Sequence, residues 1–183
     1  MTNRRAPSRP APARPPKPLS SVYHYFGSKE GILLTVMERG ADRFFTDLPP
    51  WDRRAGRSAE HMAAVLVGAV RTPERHPDFL RLLIVLAAQP PAMDDGEVQA
   101  VIGRIRGQAR QLLRAEIGRA FGDDPDSPAT DQLARFALAA IDGAFLTWQA
   151  GQGVTLERLL QPLQAALPAA RRALLARAAD PAR

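Results

Sequence analysis

The stretch Ser21–Leu34, SVYHYFGSKEGILL, sets Tyr23, His24, Tyr25 and Phe26 side by side, stops at Gly27 and restarts as Ser28-Lys29-Glu30. Gly27 is a suitable left-handed stop for one helix, and Ser28 is a good N-cap for the next. The pattern predicts the end of a short helix, a tight turn, and a second helix. On that second helix Leu33, Val36, Met37, Phe44 and Leu48 mark one face out to Pro49 and Pro50. Four adjacent rings form either a core corner or a surface that meets phosphates. Phe26 and Val22 read as the inward-facing members, which leaves the two tyrosine hydroxyls and His24 at the helix end.

Upstream of this stretch, residues 1–18 carry Arg4, Arg5, Arg9, Arg14 and Lys17, six prolines and no acid. Proline removes backbone donors and fixes φ, so this segment reads as an extended, solvated basic tail. The whole chain has 25 basic and 19 acidic residues, so the tail holds +5 of the net +6. Such a tail suits contact with a polyanion. It lacks the apolar core of a secretory signal, and the densest apolar run, Phe79–Ala88, is short and interrupted by Arg81. A cytoplasmic protein that does not enter a membrane is the expectation.

With 183 residues, 45% of them apolar, the chain can bury one good core. Downstream of the opening stretch it reads as helices separated by turn signals, with no sustained period of two. Ser58 caps an expected helix bearing Met62, Val65, Leu66, Ala69 and Val70, and TPERHP (72–77) then reads as a break. The helix from about Pro77 to Ala88 has apolar residues all round its axis and is expected to be the most buried. A long helix over 97–121 puts Val98, Val101, Ile102, Ile105, Leu112, Leu113, Ile117 and Phe121 on one side, with its arginines on a solvated face. Two further helices follow, 129–150 and a last one capped by Thr155, which Pro162 and Pro168 are expected to kink or divide.

Few groups suggest catalysis. Cysteine is absent, which excludes thiolate metal sites, disulfides and cysteine nucleophiles. His24, His61 and His76 never pair at a metal-binding spacing. Asp94, Asp95, Asp123, Asp124 and Asp126 sit beside glycine and proline and read as turn formers. An enzyme is not expected, and neither is a resident cofactor or metal.

Ser21, Val22, Tyr23, Tyr25, Phe26, Lys29, Glu30, Ile32 and Leu33 stand where TetR/AcrR-type transcriptional regulators carry the end of their recognition helix and the start of the connecting helix, and this stretch resembles that family. Less specifically, RHPDFLRLLIVLAA (75–88) resembles the family's central helix, and LARFALAAIDGAFLTWQAG (133–151) its penultimate one. The resemblance covers roughly residues 19–168.

It implies an all-α, TetR-like bundle: a tail over 1–18, a remnant of a helix-turn-helix head over 19–48, and a ligand-binding and dimerisation body over 49–183. It further implies a ligand-responsive regulator, a repressor in kind, that binds operator DNA as a homodimer and takes a small apolar or amphipathic effector. Tyr23, His24, Tyr25 and Lys29 would contact DNA phosphates. Phe79, Leu83 and Trp148 would line the effector pocket, and Phe136, Ala140, Ala144, Leu159 and Leu163 the dimer interface. The chain departs from the family in one respect: the tail stands where two bracing helices and the start of the recognition helix belong. The competing expectation is therefore a ligand-binding, dimerising module without sequence-specific DNA binding.

Overall fold

A computed structural model describes residues 29–49, 68, 70–89, 96–151 and 153–179 of the chain. Among these residues the secondary structure is helical, with no strand. None of the described helices is long and apolar enough to cross a membrane. The Ser58-capped helix expected from the sequence falls mostly outside the described residues.

The first helix, α1, spans Lys29–Thr46. It packs through Leu33, Leu34, Met37, Ala41, Phe44 and Phe45, which recur every three or four residues as a helical face requires. Val36, expected on that face, is 52% exposed. Gly40 lets α1 approach its neighbour: a β-carbon there would collide with the Phe79 ring.

Helical backbone resumes at 70–75 and runs through Thr72 and Pro73, so the expected break comes only at His76. Two causes fix it. The residue before a proline is pushed out of the helical region, and His76 sits at φ −124, ψ 48. Its ring nitrogen Nε2 also lies 2.8 Å from Asp47 Oδ2, tying this turn to the end of α1.

Helix α2, Pro77–Ala88, follows with Pro77 in its first turn. Leu80, Leu83 and Ile84 are buried, while Val85 is 47% exposed, so α2 is a one-sided helix and not the fully buried one its composition suggests.

Helix α3, Gly96–Phe121, buries Val98, Val101, Ile102 and Ile105 early and Ile117 and Ala120 late. Between Ile105 and Glu116 no side chain is fully buried, although Ala109, Leu112 and Leu113 continue the same inward face. That interval is where the interior opens. The helix ends in a Schellman turn, with Gly122 at φ 70 and the Asp123 N–H donating to Gly118 O at 2.9 Å.

The loop 122–127 reverses the chain into α4, Pro128–Gln149. Ser127 caps this helix, its hydroxyl accepting from the Thr130 N–H at 3.2 Å. Helices α3 and α4 form an antiparallel hairpin, against which α1 and α2 lie on one side and the C-terminal helices on the other.

The short α5, Leu156–Leu160, is capped by Thr155 as its sequence requires, and α6 covers Leu163–Ala179. Pro162 occupies the turn between them, whereas Pro168 lies inside α6. Two apolar clusters result. One joins α1, α2, the first half of α3 and Phe145; the other joins the second half of α3 to α4, α5 and α6.

Candidate functional site

The interval of α3 that buries nothing borders a cavity of about 90 Å³. Its walls come from α1 to α4, with Pro73 added from the helical segment 70–75. Phe44, Phe45 and Leu48 close it from the end of α1, and Phe79, Leu80, Leu83 and Ile84 from α2. Ile105, Ala109, Leu112 and Leu113 line it from α3, and Leu138, Ile141 and Phe145 from α4.

Aromatic rings stand in its wall. Phe44 meets Phe79 at 5.6 Å between centroids and Phe45 edge-on at 5.5 Å, within the range of favourable ring pairs.

Among the described residues, the lining has two charged members, Arg106 and Asp142, which pair with each other. The Arg106 NH2 group donates to Asp142 Oδ2 at 2.6 Å. Burial holds the Asp142 carboxyl above its ordinary range, against the opposing hydrogen bond and charge of Arg106. An ion pair in an apolar wall carries no net charge yet retains unused donor directions, because one guanidinium has five N–H groups.

A second depression lies between α3 and α4, lined by Gly103, Arg106, Gly107, Arg110, Arg135, Leu138 and Ala139, with a volume of about 290 Å³. Arg106 and Leu138 line both spaces. Beside the groove Asp131 is shared: Arg135 Nε donates to it at 2.8 Å, with Arg110 at 3.5 Å and Arg114 at 3.9 Å. The hydrogen bond from Arg135 holds Asp131 below its ordinary range; partial burial opposes this, and the charges of Arg135, Arg110 and Arg114 reinforce it.

The arginines of α3 are thus ion-paired and mostly half-buried, and Arg104 alone keeps the largely solvated setting expected from their spacing, at 63% exposure. Arg104 pairs with Glu38, Arg106 with Asp142, Arg114 with Asp126 and Asp131, and Arg119 with Glu116.

Of the pocket residues expected from sequence, Phe79 and Leu83 line the cavity. Trp148 stands one layer back, its ring 5.7 Å from that of Phe145, and so supports the wall. Of the expected interface residues, Phe136 is 44% exposed, Ala140 and Leu159 are half-buried, and Ala144 and Leu163 lie in the core of the same chain. Leu146 shares the outer face of α4 with Phe136 and is equally exposed.

Tyr23, His24 and Tyr25 fall outside the described residues, as does the tail, and Lys29 is described only as the first backbone residue of α1. Sequence reading passed over Arg106 and Asp142. The available signal was a lone carboxylate in the otherwise apolar run ALAAIDGAF (137–145) of an amphipathic helix.

Among the described residues no three His, Asp or Glu side chains converge as a metal site. No protein-family model matches the chain, and no curated protein matches it.

Proposed function

We propose that this chain is a ligand-responsive transcriptional regulator of the TetR/AcrR type, acting on operator DNA as a homodimer. The observation that carries the reading is the placement of α1. Its first residue, Lys29, directly follows the ring-rich motif, and its last turn supplies Phe44 and Phe45 to the cavity wall. At about 1.5 Å per residue the helix makes a rigid rod of about 23 Å between Lys29 and Phe44.

A molecule entering the cavity must displace or brace the Phe44–Phe79 contact and thereby tilt the rod. Tilting would change where Tyr23, His24, Tyr25 and Lys29 stand relative to the duplex backbone. A difference in effector affinity between the two tilts then shifts the DNA-competent population, and coupling of about 1–3 kcal/mol is enough for a useful switch. The exposed apolar face of α4 around Phe136 and Leu146 supports pairing of two copies.

The test is anisotropy of a labelled DNA fragment from upstream of the gene, titrated with the whole chain at low and moderate salt with excess unrelated DNA. The reading expects binding that survives competitor and weakens when Tyr23, Tyr25 or Lys29 is replaced. Binding that collapses with salt and is lost to any DNA would instead belong to the +5 tail. The second reading, a ligand-binding dimerisation module, would then stand, favoured by the six prolines of residues 1–18, a composition poor in helix formers.

A further inference from the structure

We propose that the molecule this cavity takes is an amphipathic anion, with an alkyl or aryl body inside the cavity and a carboxylate-like head on the arginines of the α3–α4 groove. The inference rests on reading the cavity as an effector site and adds the chemical class of the effector.

Three observations carry it. First, the two spaces share a partition: Arg106 and Leu138 line the apolar cavity on one side and the groove on the other. A slender molecule whose body lies in the cavity would bring its polar end to Arg106, the charged residue common to both spaces.

Second, the groove has a charge to neutralise. Arg106, Arg110 and Arg135 line it, and the carboxylates that pair with them are Asp142 and Asp131. Three guanidiniums against two carboxylates leave one positive charge, since Arg114 is engaged by Asp126 at 2.6 Å. One carboxylate head balances it, whereas a cationic head adds to it.

Third, the donors are in place. Arg110 Nε is buried without a hydrogen-bond partner among the described residues, its nearest carboxylate oxygen being 3.5 Å away on Asp131. A buried N–H left unmade is costly, and a small rotation of the Arg110 side chain would offer it to an anionic oxygen in the groove. Arg106 uses NH2 toward Asp142, leaving further N–H groups of the fork for a second acceptor. The groove also has room: a β-carbon at Gly103 or Gly107 would meet nothing within 4 Å.

The experiment is isothermal titration of the full chain with four probes below their aggregation limits: octanoate, octan-1-ol, octylammonium and acetate. Octanoate is expected to bind saturably and about ten-fold or more tighter than octanol or octylammonium, the worth of one charge-assisted hydrogen bond, with acetate not binding. Arg110→Gln is expected to weaken octanoate about ten-fold while leaving octanol unchanged. Arg135→Gln, at a side chain 61% exposed, repeats the test at a site that does not threaten folding, and helical circular dichroism checks both variants. Ala109→Phe, which fills the cavity, is expected to abolish octanoate binding.

Equal binding of octanol and octanoate, or preference for octylammonium, with both lost on Ala109→Phe, would overturn the anion class and leave the cavity reading intact. Acetate binding as tightly as octanoate and indifferent to Ala109→Phe would overturn the amphipathic requirement. Saturable binding by none of the tailed probes would overturn this inference and the cavity reading together.

Discussion

The two halves of the α3–α4 hairpin are packed to different standards. Where α4 meets α5 and α6, the core is built from leucine against alanine: Leu133, Leu156, Leu160, Leu163 and Leu167 close over Ala134 and Ala137, and most are under 3% exposed. Arg171 adds a bidentate ion pair to Asp123 at 2.5 Å and covers the Phe121 ring, tying the last helix to the hairpin turn. Where α3 and α4 meet α1 and α2, phenylalanines line a cavity, and an ion pair sits in its wall. Leucines seated on alanines fill the one half, whereas the other keeps a cavity among its side chains. One half is thus a fixed base, and the other is a region able to admit a guest.

The sharpest way to break this contrast is to truncate one leucine in each half. Leu156 is fully buried in the leucine–alanine core, so Leu156→Ala should cost about 3–4 kcal/mol. Leu83 already borders empty space and has fewer atoms to lose contact with. Leu83→Ala should cost about 2 kcal/mol or less. Urea unfolding of the two variants checks the order, and equal costs would mean that both halves are packed alike.

The reverse substitution sharpens the same point with a smaller effect. Ala137 is 1% exposed in the tight core, and Ala137→Leu should destabilise by about 1–3 kcal/mol through overpacking. Ala109 lines the cavity, so the added methylenes of Ala109→Leu have somewhere to go. That variant should be neutral or slightly stabilised in thermal melts, while losing affinity for whatever the cavity takes.

Local signals in the sequence foretold the punctuation of the fold better than its burial. Thr155 before Leu156 and Pro162 between the last helices each act within three or four residues, and each marks a boundary of the structure. The run FLRLLIVLAA carries no phase, because with apolar residues on every side nothing marks Val85 as the one turned outward; its neighbours decide that.

The site divided in the same way. Phe79 and Leu83 were legible as apolar residues of a central helix. Arg106 and Asp142 were not, because their meeting depends on the register of a hairpin 36 residues apart. The arginines of α3 looked solvated for the same reason: apart from Glu116, which pairs with Arg119 one turn away, their acids lie on other helices or in the next loop.

The smallest effect separates two carboxylates of a single helix, one from each environment. Asp142 in the cavity wall binds its proton more tightly in the fold than in the unfolded chain, since burial raises it above the ordinary 3.8. Its contribution to stability therefore grows as pH falls through the raised value, is complete below about 3.8, and is lost as pH rises. Asp131 among its arginines is held below 3.8, chiefly by the Arg135 hydrogen bond, so its contribution is present above 3.8 and lost as pH falls through the lowered value. Urea midpoints of wild type, Asp142→Asn and Asp131→Asn, measured from pH 7 down to about 3, should show opposite trends. The gap between wild type and Asp142→Asn should move in favour of wild type on acidification from neutrality. The gap to Asp131→Asn should stay level until pH approaches 3.8 and then move against wild type. Parallel curves would mean that the wall of the cavity is as wet as the groove beside it, and the contrast between the two carboxylates would fail at its most local point.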